Sequence, residues 1–143
     1  MPLARLTSIA GGSDGNLSAC YSGTWYQPTQ AGHGLQVQLI GPPGQRQLVA
    51  IWFTYLNDRQ VWLLGAGPVQ GDQATLTMTI TRGGQFPPNF DPASVVRETW
   101  GTLSFQGIGS QTARMQWQSS RPGFSNGALD LVRLSTLLDK ACP

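Results

Sequence analysis

The sequence predicts an all-β domain: about eight antiparallel strands in an up-and-down meander, closed as a small barrel or folded as a sandwich. Three observations predict it. Ala74-Thr-Leu-Thr-Met-Thr-Ile-Thr81 alternates four apolar residues with four threonines, the period of a half-buried strand. Leu48–Leu56 and Val61–Leu64 are rich in aromatic and β-branched residues and are separated only by Asn57-Asp-Arg-Gln60, which reads as a hairpin rather than one helix. The chain after Cys20 is otherwise a series of short runs broken by Gly, Pro and Asn/Asp, with no convincing long helix.

Taken in order, residues 1–19 read as a flexible Gly/Ser-bearing leader and residues 20–143 as a single domain. Leu17-Ser-Ala-Cys20 has the form of a bacterial lipobox, but Gly11-Gly-Ser-Asp-Gly-Asn16 stands where a signal peptide needs a continuous apolar segment. Ser22–Tyr26 opens the strand series and Gln27-Pro28 closes it; Leu35–Leu39 alternates and should bury one face. Gly41-Pro-Pro-Gly44 turns the chain into the central hairpin, whose second strand is expected to end at Gly65-Ala-Gly-Pro68, with a further turn at Gly71-Asp72. Residues 82–97 are too long for a hairpin turn. There Asp91-Pro92 is an N-cap and N1 pair, predicting a turn or two of helix over Pro92–Val96. Trp100–Phe105, Ala113–Gln118 and Ala128–Leu134 complete the strands, and Leu137–Lys140 is expected to add a helical turn.

Charge is scarce. Only 11% of the 143 residues are Asp, Glu, Lys or Arg, against roughly 25% in an average domain. The basic residues are scattered from Arg5 to Lys140, which argues against a nucleic-acid partner or a polybasic membrane patch. No run of 18 apolar residues exists, so no transmembrane helix is expected. The two cysteines, Cys20 and Cys142, lie where a disulfide would tie together the ends of the domain. Such a bridge belongs to an oxidising compartment and, closing so long a loop, would contribute about 4 kcal/mol.

Catalytic signals are thin. His33, the only histidine, lies between Gly32 and Gly34, but one histidine and two cysteines make no tetrahedral zinc site, and there is no Gly-x-Ser-x-Gly elbow. A turn residue with a structural hydrogen bond is the reading preferred over a catalytic base. Glu98 and Asp130 would act as a glycosidase-like pair only if the fold joined them. The five tryptophans, Trp25, Trp52, Trp62, Trp100 and Trp117, either fill the core or line a cup or stacking platform, with Trp52, Trp62 and Trp117 the candidate walls. Phe86 and Phe90, flanking Pro87-Pro88, are expected to plug one barrel end, with closure over a ligand as the alternative.

Two resemblances follow from these residues. Ser22-Gly-Thr-Trp-Tyr26 and the eight-strand count resemble avidin-type barrels, which bind a small ligand in the barrel mouth. Gly23–Pro28, Gly32–Gly34, Trp52–Tyr55 and Phe90–Ala93 together resemble an uncharacterised β-module of secreted or envelope proteins of proteobacteria. That resemblance implies an extracytoplasmic bacterial setting and carries no activity. The expectation is therefore a non-catalytic extracytoplasmic domain without a cofactor or metal, acting by binding a protein, a polysaccharide or copies of itself. The alternatives are a calyx for a small hydrophobic or aromatic ligand, with His33, Phe86 and Phe90 among its candidate lining residues, and a hydrolase using His33.

Overall fold

A computed structural model of the chain describes residues 17–137 and 142. Eight antiparallel strands run in sequence order around a closed barrel: β1 (Gly23–Tyr26), β2 (Gly34–Ile40), β3 (Gln47–Leu56), β4 (Arg59–Gln70), β5 (Gln73–Arg82), β6 (Val96–Gly109), β7 (Thr112–Gln118) and β8 (Gly127–Thr136). β8 returns to pair with β1, so no strand edge is left open. Among the described residues, no helix is long and apolar enough to cross a membrane.

Period-two alternation builds the interior. On β5, Ala74, Leu76 and Met78 are buried while Thr75 and Thr77 face water. On β2, Leu35, Val37 and Leu39 point inward, and on β3 Leu48, Ala50 and Trp52 do. The β3–β4 turn is only two residues long: Asn57 and Asp58 adopt φ of 52° and 65°, the left-handed pair that matches strand twist. Arg59 and Gln60 already belong to β4, and β4 continues past Gly65-Ala-Gly-Pro68 to Gln70. These glycines do not end the strand. Gly65 lies where β4 crowds β5, and a Cβ there would strike the Thr77 carbonyl and the Met78 sulfur.

One end of the barrel is sealed. Leu17, Ser18 and Ala19, expected in a leader outside the fold, are buried beneath it, and the Leu17 N–H donates to the Gly71 carbonyl at 3.1 Å. Tyr21 stacks on Trp25 at 5.9 Å between centroids, and Trp25 meets Phe105 edge to face at 5.6 Å. The Cys20–Cys142 disulfide closes a separation of 122 residues across this end. Residues 1–16, the rest of the expected leader, and 138–140 of the expected terminal turn lie outside the described residues.

The guanidinium of Arg133 joins the sealing segment to the wall. It donates to the carbonyls of Cys20 (2.9 Å), Ser22 (3.3 Å) and Ser110 (3.2 Å) and lies 4.4 Å from the Trp25 ring centroid. Burial lowers its pKa from the ordinary arginine value, and the nearby Tyr21 acts in the opposite sense. Alternation from Leu129 and Leu131 marks position 133 as inward-facing, a signal present in the sequence.

Candidate functional site

The opposite end, carrying the β1–β2, β3–β4, β5–β6 and β7–β8 connections, holds a cavity of about 310 Å³ walled by aromatic rings. Trp52 of β3 and Trp100 of β6 form its base, 5% and 2% exposed. Trp117 of β7 meets Trp52 at 5.0 Å between centroids, and Trp52 meets Trp100 edge-on at 5.9 Å. Phe124, from the β7–β8 loop, packs edge-on against Trp100 at 5.5 Å. Around these rings stand Gln30, His33, Thr54 and Ser125, polar but uncharged.

A bulge puts Trp100 there. Strict alternation along Trp100-Gly-Thr-Leu-Ser-Phe105 would place Trp100 on the side of Thr102 and Ser104, away from Leu103 and Phe105. The β5–β6 register instead shifts between Met78 and Thr79, pairing Met78 with Gly101 and Thr79 with Thr99, so that Trp100 is the extra residue. An inserted residue bends the strand and re-aims its side chain. Gly101 permits it, with φ of 155° and no room for a Cβ against the Gln118 carbonyl. The Trp100 indole N–H is buried and has no acceptor among the described residues. A buried donor of this kind costs about 1–3 kcal/mol until an acceptor reaches it.

His33 is tied to the same cluster. Its Nδ1 accepts from the Trp52 indole N–H at 3.1 Å, which requires a neutral ring protonated on Nε2. Burial pushes its pKa below the ordinary 6.5, in the sense that preserves this bond. The Tyr55 hydroxyl donates to the Gly32 carbonyl at 3.1 Å, so β3 holds the β1–β2 loop at the rim through two side chains. The structural hydrogen bond expected of His33 is present.

Other expected site residues lie elsewhere. Trp62 is outside the barrel and 48% exposed, because the hairpin register pairs Trp52 with Leu63 on the inner face and Phe53 with Trp62 on the outer. Phe86 and Phe90 plug nothing: they are 90% and 46% exposed. The insert folds on itself, with the Asp91 carboxylate capping Ala93 N–H at 3.0 Å and the Phe90 ring against Gly84. The helix expected over Pro92–Val96 shrinks to the 3-10 turn Pro92–Ser94, since Val96 already pairs with Arg82 in the sheet. Trp25 lies in the sealed end, its N–H bonded to the Tyr21 carbonyl at 2.9 Å.

Glu98 and Asp130 are occupied separately. Asp130 pairs with Arg114 at 2.7 Å, whereas Glu98 accepts from Arg121 at 2.6 Å and Arg82 at 3.2 Å. The hydrogen bond from Arg121, reinforced by Arg82, lowers the pKa of Glu98, so it stays an anion and braces the β7–β8 loop that carries Phe124. Neither carboxylate lines the cavity. Among the described residues, no group of three or more His, Cys, Asp or Glu side chains is placed to hold a metal ion.

Sequence reasoning misses Phe124, Tyr55 and Leu129 at this mouth. Phe124 lies in Ser119–Asn126, a loop with no periodicity, and only its geometry reveals its role: the Ser119 hydroxyl donates to the Trp100 carbonyl and Trp117 Nε1 donates to Ser125 O at 2.8 Å. In comparison with known proteins, the chain matches no family model, no curated protein and no solved structure.

Proposed function

We propose that this protein is a non-catalytic binding domain whose ligand enters the aromatic mouth of the barrel. The observation that carries this reading is the clustering of Trp52, Trp100, Trp117 and Phe124 at the open end, facing a cavity rather than one another alone, while the other end is sealed. A cavity of about 310 Å³ falls at the lower edge of small-molecule sites, which are mostly apolar with a few convergent polar groups. The wall chemistry selects an uncharged ligand with an apolar face: no ionic side chain among the described residues lines the cavity, and burying an unpaired charge there would be costly. The Trp100 indole N–H, buried in this wall without an acceptor among the described residues, would be satisfied only by a ligand acceptor that penetrates to it.

The disulfide supports the extracytoplasmic setting, since such bonds persist in oxidising compartments. Closure of the barrel leaves no edge to template strand-by-strand stacking, so the binding function is assigned to the mouth. Intrinsic tryptophan fluorescence and calorimetry with a panel of neutral aromatic and sugar ligands test the reading. Binding that shifts the emission in the wild type and is lost in Trp117→Ala is the expected result. No response to any panel member at about 1 mM would remove the proposal, and turnover abolished by His33→Ala would replace it with an enzyme.

A further inference from the structure

We infer that the mouth is the inner terminus of a longer track for a neutral oligosaccharide chain, which leaves the cup over the β1–β2 rim and runs across the outer wall of β8, β1, β2, β3 and β4. This inference rests on the mouth being a ligand site.

Continuity is the first support. Two further cavities, of about 310 and 400 Å³, lie on the outer wall, and they share Gly32 and Phe53 with each other. Each also shares residues with the mouth cavity: Tyr55 and Thr54 in one case, His33 in the other. Tyr55 and His33 are also the side chains hydrogen-bonded at the rim, so the residues common to cup and shelf are the ones that hold the β1–β2 loop. The shelf reaches from Leu134 on β8 to Trp62 on β4. Those five strands are consecutive, and four interstrand spacings, followed around the curved wall of the closed barrel, give a path of roughly 19 Å, longer than any single sugar ring.

The lining is the second support. Phe53, Tyr55 and Trp62 are each about half exposed, at 49%, 50% and 48%, in a protein whose other strand aromatics are largely withdrawn from water. Glycines at 32 and 34 leave the floor beside Phe53 without side chains, and Gly34 pairs directly with Phe53. Between the rings stand Thr24, Gln36 and Gln60 on the shelf and Gln30 and Thr54 at the rim. Among the described residues, no Asp, Glu, Lys or Arg lines any of the three cavities.

A pyranose ring matches this surface on both counts. Its axial C–H bonds carry partial positive charge and settle on the negative face of an aromatic ring. Its equatorial hydroxyls both donate and accept, as carboxamides and hydroxyls do. A purely apolar chain would strip Gln and Thr of water without replacing their hydrogen bonds, and an anionic chain would find no cation.

The test is calorimetric titration of the full chain with D-glucose, D-xylose and N-acetyl-D-glucosamine, with their β-1,4-linked hexamers, and with maltohexaose. One hexamer should bind about a hundredfold tighter than its monomer. Trp62→Ala and Phe53→Ala should each weaken that hexamer by about tenfold while leaving the monomer unchanged. Trp117→Ala should weaken both. Gln36→Ala, at an exposed position of β2, provides a second probe of the shelf and should act on the hexamer alone. Equal affinity for monomer and hexamer, or a hexamer gain untouched by the shelf variants, overturns the track and leaves the mouth standing. Concentration-dependent self-association lost in Trp62→Ala, with no sugar bound, overturns it in favour of a second copy on the shelf. Absence of any mouth ligand, read by Trp117→Ala, defeats the underlying reading as well.

Discussion

Replacing Cys20 and Cys142 by serine should remove about as much stability as the costliest single apolar truncation in the barrel. The bridge joins positions 122 residues apart, which is nearly the whole folded chain. In the chain-entropy model, freeing a loop of 122 residues in the unfolded state costs about 5 kcal/mol at room temperature, the strain-free upper figure for the roughly 4 kcal/mol expected from the sequence. The native side should change little, because Leu17, Tyr21 and the Arg133 bonds to Cys20 and Ser22 continue to hold the sealing segment in place. Urea unfolding followed by tryptophan fluorescence measures this. With a slope of about 2 kcal/mol per molar, the midpoint should fall by roughly 2.5 M at an unchanged slope. The thermal midpoint should drop by roughly 15 °C. A loss below about 1 kcal/mol would refute the entropic account and mean that the unfolded chain already holds its ends together. A changed slope would instead show that the sealing segment had left the barrel.

Acidification should loosen the mouth. His33 is held neutral with a pKa below 6.5, so its contribution to stability is fully present above 6.5 and is lost as pH falls through the lowered value. Protonated Nδ1 becomes a donor facing the Trp52 donor, so tryptophan emission should shift below pH 6.5 in the wild type and stay flat in His33→Ala; an identical shift in both would dismiss the pair. Glu98, whose pKa lies below the ordinary 4.5, should release Arg121 and Arg82 only in more acidic solution, seen as a second, salt-sensitive transition absent from Glu98→Gln. Arg133→Met removes the donor to four carbonyls, those of Cys20, Ser22, Ser110 and Ser135, and should cost about 2–3 kcal/mol by urea midpoint. Arg133→Lys should recover little of it, because a single ammonium cannot reproduce the fork, and full recovery would contradict that geometry.

Most of the barrel is legible in the sequence because strand burial and side-chain period are the same fact. Ala74–Thr81 and Leu35–Leu39 alternate, and each forms a strand with the expected face inside. What is misread depends on register or on loops. Gly65 and Gly67 look like a strand end, since glycine marks turns more often than it marks the crowding of two strands. Trp62 looks equivalent to Trp52, but a two-residue turn fixes the hairpin so that one faces in and the other out. Phe86 and Phe90 look like a plug because an apolar residue bordering a loop usually buries itself. Here indoles already line the mouth, and the insert folds back on its own glycine.

The mouth itself follows from one local irregularity, and that makes its sharpest test a backbone substitution. Gly101→Ala alters no ring and touches no ligand, yet a Cβ there would press on the Gln118 carbonyl and strain a φ of 155°. The chain can relieve the clash by giving up the bulge, which returns Trp100 to the face of Thr102 and Ser104 and takes an indole out of the cup. A loss of about 2 kcal/mol or more is expected if the bulge persists under strain. If the bulge is lost, near-ultraviolet circular dichroism should change and mouth binding should fail while the barrel stays folded. Either result ties Trp100 to Gly101. Unchanged stability together with unchanged binding would show that the glycine is incidental and that Trp100 is held inward by Phe124 and its neighbours alone.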